Sequence, residues 1–555
     1  MNKNPAGILE YLAGGVPRVL TTFNGKTGRF LAPNGGWAVT NQDVIYPLAM
    51  LYATPGTRYY RQKKILDLCG RAGDAWREFQ EPDGSFEFIK VDGSRWGKIF
   101  MPWSIYHWLE TFILLHTSLD RRRVARWRQG LTLAYEGLAA TTASPSAHNI
   151  STWNGMSLTR AGQFFNRPDW LEIGRNQCRF SAREQHPHGF WPEGDGPTTQ
   201  YNFVYMHALG LYHAFTKDRT LEPVLRRGTD FHTTFVYPDM TSVETVDGRV
   251  RYHQHPQTRG WPAFSLFPRG RRLIRQVMRH LPKQGGLDPA LASALQHMTT
   301  GPETCLLQEE KRGRTVYGGK ALLCKHDDWF FCVSGYSAAP ANRPRFSRNR
   351  WIKTRSNALG LWHRKTGLLV GGGNSKHDSL FATFEVWDNG ALRLEPDSLS
   401  FSRKQGRETV RFRYGNLSCL MHLKPLDSKR LELVFELPAA TRKRATVQAC
   451  FSLRLKAGTP ISWSARAKPM VNRQETVDPL HAMAVNWDPS GKYRQCKLRG
   501  DGWVLDMPVE SAFEYPVYPF NPYAIDNHAP VEDCVGVISA GFLEGRVRRF
   551  VLRIP

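Results

Sequence analysis

From about residue 42 to residue 300, apolar side chains return every three or four positions, as in QDVIYPLAMLYA, RYYRQKKILDLCGRAGDAWREFQ, PWSIYHWLETFILLHTSL and RVARWRQGLTLAYEGLAA. STWNGMSLTRAGQFF, DWLEIGRNQCRFSAREQ and NFVYMHALGLYHAF keep the same spacing. This is the period of an amphipathic helix, and helices so closely spaced must pair into antiparallel hairpins. After about residue 300 the pattern changes to short β-branched and aromatic runs: KALLCKHDDWFFCVSG, NALGLWHRKTGLLVGGG, LFATFEVWDNGALRLEP and RLELVFELP. Asp388-Asn389-Gly390 between two such runs predicts a hairpin. The expected fold class is α+β and multidomain, with a helical-hairpin domain over 1–300 and an antiparallel β-sandwich over 301–555. The segment 281–305 is the expected join.

A weak internal repeat sharpens the first half. WREFQEPDGSFEF (76–88) and AREQHPHGFWPE (182–193) both end a helix with Arg-Glu, pass through Pro-x-Gly and emerge on an aromatic residue. Gly84 and Gly189 lie 105 residues apart, about two hairpins. Hairpins that repeat around an axis make an (α/α) toroid, here an incomplete helical-hairpin barrel, whose loops gather at one end around a cleft.

At 555 residues the chain exceeds the usual single-core size of about 250–300 residues. No apolar run approaches the roughly 20 residues of a membrane span, and Glu10 interrupts the short apolar patch of the N-terminus, so neither a span nor a signal peptide is expected. Nine scattered cysteines without a C-x-x-C pair argue against a disulfide framework and a zinc ribbon. Lys and Arg number 75 against 49 Asp and Glu, a net charge of +26 that would concentrate any polyanion. The basic clusters are RRRVARWR (121–128), RGRRLIRQVMRH (269–280) and RPRFSRNRWIKTR (343–355). Nucleic acid has no support beyond that charge, since no recognition motif accompanies it; an acidic polysaccharide is the other polyanion to weigh.

Candidate chemistry begins at HNISTWNG (148–155). On a helix starting near Asn149, residues 149, 153, 156 and 160 share a stripe, so Asn149, Trp153, Met156 and Arg160 could face one cleft. Farther on, HPHGFWPEGDGPTTQYNFVYMHALGLYHAF (186–215) delivers Glu193 and Asp195 in a Gly/Pro-rich loop and opens a helix near Tyr201. Tyr205 continues that helix's stripe and rivals Tyr201. Trp37, Trp153 and Trp191 are available to stack on sugar rings.

These segments resemble polysaccharide lyases of the heparinase II/III-like and alginate-lyase-like group, which join an (α/α) toroid to an antiparallel β-sandwich. HNISTWNG is similar to their Asn/His element, HGFWPEGDGPTTQYNFVYMHAL to the loop that leads to their catalytic tyrosine, and GGNSKHDSLFATFEVWDNG (372–390) to the histidine-bearing entry of their sandwich. The 52-residue interval from Asn149 to Tyr201 is also similar. The sandwich entry departs from the pattern, with Lys376-His377-Asp378 where the family often has two histidines. The resemblance implies β-elimination on a uronate: Asn149 and His148, with Arg160 as a further candidate, neutralise the carboxylate while Tyr201 moves protons. If the proton leaves from the opposite face, His377 or His148 is the base and Tyr201 the acid. Enzymes of the group that the chain resembles are usually periplasmic or secreted, while the sequence itself leaves the compartment, cytoplasm included, open.

A uronate C5 proton is barely acidic beside a charged carboxylate, so elimination needs hydrogen-bond donors and cations converging on that group. An (α/α)-barrel glycoside hydrolase would instead need two carboxylates about 5–10 Å apart, drawn from Asp43, Glu87, Glu110, Glu193 and Asp195. A non-catalytic binder of anionic glycans would need only charge and aromatic surface. No cofactor is required by these readings; His253-Gln254-His255 and His377-Asp378 leave a structural Zn²⁺ or Ca²⁺ as an open candidate without diagnostic spacing.

Overall fold

The helical half contains α1 (Lys3–Leu20), α2 (Ile45–Ala53), α3 (Lys63–Phe79), α4 (Pro102–Leu115), α5 (Arg121–Thr142) and α6 (Asn149–Phe165). It continues through α7 (Pro168–Arg183), α8 (Thr199–Thr216), α9 (Glu222–Thr234), the four-residue α10 (Trp261–Phe264), α11 (Pro268–His280) and α12 (Pro289–His297). The structure, a computed structural model, describes residues 3–193, 196–249, 255–337, 351, 356–372, 378–466, 471–487, 494–543 and 545–555. Two compact units emerge: one of residues 1–191, 200–233 and 256–304, the other of residues 192–199, 234–255 and 305–555.

In the first unit the even-numbered helices form an inner ring. α2 packs on α4, α4 on α6, α10 on α12 and α12 back on α2. α8 closes the gap: its His207 ring stacks on Trp153 of α6 at 5.2 Å, and a Cβ on Gly210 would lie 2.5 Å from the backbone nitrogen of Ala263 in α10. The odd-numbered helices lie outside, with α3 on α2, α5 and α7 on α6, and α11 on α10. This is the helical-hairpin toroid that the period of the sequence predicts. The inner helices α2 and α4 are buried along most of their length, α2 almost wholly apolar and α4 burying Ser104, His107, Glu110 and Thr111 among apolar residues, whereas the outer α3 carries a polar solvent face.

The internal repeat is real in three dimensions. Gly84 N–H donates to Glu81 O and Gly189 N–H to His186 O, at 2.9 and 2.8 Å, and both glycines have positive φ, 89° and 79°. A Cβ at either position would also collide with backbone, Leu133 C at 2.5 Å or Arg227 O at 2.1 Å, so only glycine fits the turn. Each copy ends an outer helix and sends the chain toward the next inner one.

The second unit is a sandwich of two antiparallel sheets, with eleven and nine strands among the described residues. Alternation aims every second side chain inward: in Arg407–Tyr414, Val410, Phe412 and Tyr414 are buried while Arg411 and Arg413 are exposed. Phenylalanines of the two sheets meet between them, Phe384 against Phe412 at 5.2 Å and Phe451 against Phe550 at 5.2 Å. Each such ring contributes about 1.5–3 kcal/mol of burial before chain entropy is subtracted. The hairpin at Asp388-Asn389-Gly390 is present: Asp388 pairs with Ala391, and Asn389 and Gly390 take φ of 49° and 76°. Of the nine cysteines only Cys305 is exposed, and none is in a disulfide.

Candidate active site

The six connections from outer to inner helix all reach one cleft of about 590 Å³ in the helical unit. Asp43, in the turn before α2, comes from the first, Trp96 and the early α4 residues Trp103 and His107 from the second, and Asn149 and Trp153 from the start of α6. Gln200 and Tyr201 open α8, Arg259 precedes α10, and Asp288 precedes α12. Helix N-termini present unpaired N–H groups and the positive end of the helix dipole, so the ring geometry itself makes this end favourable to an anion.

Local contacts explain how these side chains are held. Asn149 is buried, 5% exposed, because α6 begins there. His148 is the N-cap: its Nδ1 accepts the Ile150 N–H at 3.2 Å, and its side chain is exposed rather than turned into the cleft. The Thr152 hydroxyl ties the first turn to Ser181 of α7 at 2.7 Å. Tyr201, half-buried, sits in the first turn of α8, where the neighbouring Asn202 Oδ1 accepts the Trp191 N–H at 2.9 Å. Arg259 is exposed in the cleft and has no carboxylate partner among the described residues. The Gly260 N–H next to it donates to Nδ1 of buried His207 at 3.1 Å, which fixes that turn. Burial, reinforced by the nearby Arg259 guanidinium, holds the His207 imidazole well below its ordinary range, so it stays a neutral acceptor.

Asp43 and His107 form a buried pair on the cleft wall, Oδ2 to Nδ1 at 3.4 Å, with 7% and 6% exposure. Tyr46 stacks on His107 at 5.8 Å and Trp153 stands edge-on to it at 6.3 Å. Trp96 is 56% exposed and Trp103 half-buried, so the open rim of the cleft is aromatic.

The structure therefore brings together Asn149, Trp153 and Tyr201 of the residues expected from sequence. Arg160 lies elsewhere: its Nε donates to Glu110 at 2.5 Å, and that fully buried carboxylate holds the guanidinium charged against the cost of burial. Trp191 and Tyr205 are 1% exposed and stack on each other at 4.7 Å, with the indole N–H given to Ser181 O, so both are packing residues. Trp37 packs against Phe79 and under the Arg29 guanidinium, away from the cleft lining. Glu193 pairs with Arg249 at 3.5 Å within the second unit. His377, Asp195 and His253 lie outside the described residues. Among the described residues no three His, Cys, Asp or Glu side chains gather as a metal set, and no helix is long and apolar enough to cross a membrane.

Of the carboxylates expected from sequence for a hydrolase, Asp43 is the one among the described residues that lines the cleft, and Asp288 lines it as a second carboxylate; Glu87 pairs with Arg95 and Glu110 with Arg160. His107, Arg259, Trp96, Trp103 and Asp288 escaped the sequence reading. The signal that could have found them is the hairpin frame: each lies at or just before the start of an inner helix or in the connection leading to it.

No family model matches the chain, and no curated relative matches it. Solved structures do. Xanthan lyase of Paenibacillus superposes with a TM-score of 0.57 at 10% identity, over 100% of this chain and 58% of that one. The chondroitin AC lyase of Streptomyces coelicolor A3 gives 0.52 at 11% identity, over 99% and 79%. A chondroitinase AC lyase solved with oligosaccharides gives 0.50 at 10% identity, over 100% and 82%. At these identities the likeness is one of fold: the chain has the toroid-plus-sandwich architecture of these structures.

Proposed function

We propose that the protein is a polysaccharide lyase that cleaves a uronate-containing acidic polysaccharide by β-elimination in the cleft of the helical unit. The observation that carries this reading is the convergence of a carboxamide, a phenol and a guanidinium with no carboxylate partner among the described residues, Asn149, Tyr201 and Arg259, on one aromatic-rimmed cleft. The shared fold with lyases of xanthan and chondroitin adds to it.

Arg259 and the Asn149 amide bind the uronate carboxylate and stabilise the charge that spreads onto it as the C5 proton leaves. This gives Arg259 the part that the resemblance assigned to His148 and Arg160. Tyr201 accepts the C5 proton, the C4–O bond breaks, a C4=C5 double bond forms, and the departing oxygen takes a proton. If both transfers occur on one face, Tyr201 performs both and ends in its starting state. If they occur on opposite faces, Tyr201 is the acid and a second group is the base. Such transfer contributes about 10²–10⁴-fold. Trp96 and Trp103 offer flat faces for neighbouring sugar rings.

The test is ultraviolet absorbance during incubation with alginate, pectic, ulvan-type and glycosaminoglycan chains. Elimination gives a growing unsaturated-uronate chromophore. New reducing ends without that chromophore mean hydrolysis and end the lyase reading.

A further inference from the structure

The outer face of the nine-stranded sheet gathers positive charge in register. Four neighbouring strands, Arg494–Gly500, Trp503–Met507, Val547–Arg553 and Arg430–Glu436, set Arg499 opposite Val504, Val504 opposite Arg553, and Arg553 opposite Arg430. Like charges facing each other across a ladder cost stability, so packing alone gives no reason for this row. It lies in a groove of about 410 Å³ to which Lys429 and Lys497 add their ammonium groups. Two of these five cations are answered inside the groove, Arg430 by Asp427 at 2.7 Å and Arg553 by Asp506. Lys497 stands opposite Asp506 in register, but that carboxylate is taken by Arg553. Lys429, Lys497 and Arg499 have no ion-pair partner among the described residues, and the Pro555 oxygen in the same lining is held by Lys365 Nζ at 2.9 Å.

The positive surface continues past the end of one hairpin. Arg499 and Val504 line the groove, and their next cross-strand pair, Gly500 and Trp503, lines a second hollow of about 360 Å³ with Lys365 and Lys456 on its walls. Lys456 is exposed and has no ion-pair partner among the described residues; Asp501 is the acid of this hollow, and its Arg454 is met by Asp533 at 3.4 Å. Three strand spacings separate Arg499 from Arg430, about 14 Å, too wide for one small anion to satisfy the row.

We infer that the two hollows form one track that binds a stretch of acidic polysaccharide, several sugars long, through its sulfates or carboxylates. Guanidinium and ammonium groups make charge-assisted hydrogen bonds to such groups, and an extended chain offers them at intervals. A single-stranded nucleic acid also brings charge, but it needs ring faces on which its bases stack. No ring lines the first hollow, and Trp503 in the second is 4% exposed. The site belongs to the sandwich unit and stands whether or not the helical cleft performs elimination.

The experiment is calorimetric titration of the full chain carrying Tyr201→Phe, so that no product forms, with size-defined chondroitin sulfate oligosaccharides at fixed salt. Adding Lys429→Gln, Lys497→Gln and Arg499→Gln should remove one binding event per chain or raise its Kd by about tenfold or more. Two events become one if the cleft also binds, and one becomes none if it does not, so failure of the lyase reading leaves this test intact. Unchanged stoichiometry and affinity at an unaltered melting temperature overturn the inference, as does absence of binding by the parent. Should the triple variant melt lower, Lys429→Gln with Arg499→Gln, both on exposed side chains, is judged by the same criterion. For the event that these variants lose, a hexasaccharide should bind about tenfold or more tighter than a disaccharide; equal affinity means a pocket for one anion and overturns the track. An oligothymidylate of equal charge should bind more weakly. Equal or tighter binding assigns the face to nucleic acid and overturns the choice of polysaccharide.

Discussion

The cleft of the helical unit and a groove on the sandwich unit are of similar size, about 590 and 410 Å³, and opposite in makeup. The cleft is rimmed by aromatic rings and mixes one arginine with two aspartates. The groove holds Lys429, Arg430, Lys497, Arg499 and Arg553 with no aromatic ring. Its two acids are spent, Asp427 on Arg430 at 2.7 Å and Asp506 on Arg553. Strand alternation produces this face: with Cys496 and Leu498 in the core, Lys497 and Arg499 must point out. The net charge of +26 is thus a property of surfaces, suited to drawing a polyanion near, and the cleft does not share it.

The largest expected effect separates the two regions outright. Tyr201→Phe keeps the ring and removes the proton carrier, so kcat/KM falls by about 10²–10⁴-fold with glycan binding retained. Unimpaired turnover by a correctly folded Tyr201→Phe would remove the cleft from the chemistry.

Next is stability. Glu110 is fully buried and joins α4 to Arg160 of α6, so Glu110→Gln leaves a partly buried guanidinium short of its counter-charge and costs about 3–5 kcal/mol in chemical denaturation. The exposed pair Arg430–Asp427 beside the groove is worth no more than about 1 kcal/mol. Equal costs would mean that the inner ring is not the stiff element its burial implies.

Acid should weaken the helical unit. Burial lowers the imidazoles of His207, His297 and His232, the latter two to about 4 and about 3. Between the unfolded value near 6.5 and those folded values the unfolded chain binds the extra proton, so stability is full above about pH 6.5 and lost as pH falls. The slope is about 1.4 kcal/mol per pH unit for each histidine in its window. Melting temperatures measured from pH 7 to pH 4 check it, and His297→Asn should flatten the curve.

Much of the fold was legible because periodicity is a local property: hydrophobic spacing marks the helices, and Asp388-Asn389-Gly390 marks its hairpin without reference to the rest of the chain. The site was legible only where function and helix start coincide. Asn149 and Tyr201 each open an inner helix after a Gly- or Pro-bearing segment. Trp191 and Tyr205 illustrate the opposite case, since residue type does not say which face of a helix looks inward, and here each covers the other. Arg259 and His107 are 152 positions apart and meet only because the ring closes. His148 has the right chemistry in the right segment, but its ring is taken by the backbone of its own helix.

The smallest expected effect concerns the groove. Lys497 is half-buried and Arg499 exposed, and neither has an ion-pair partner among the described residues, so both can release counterions when a polyanion approaches. In the double variant Lys497→Gln, Arg499→Gln, retention on an immobilised acidic glycan should weaken, and the slope of log affinity against log salt should flatten by about one per removed contact. Turnover of an oligosaccharide short enough to fill only the cleft should stay within about twofold, because charges outside the cleft change encounter more than chemistry. A large loss of turnover on that short substrate would mean that the sandwich cations act on the reacting sugar, and the division of labour between an attracting surface and a reacting cleft would not hold.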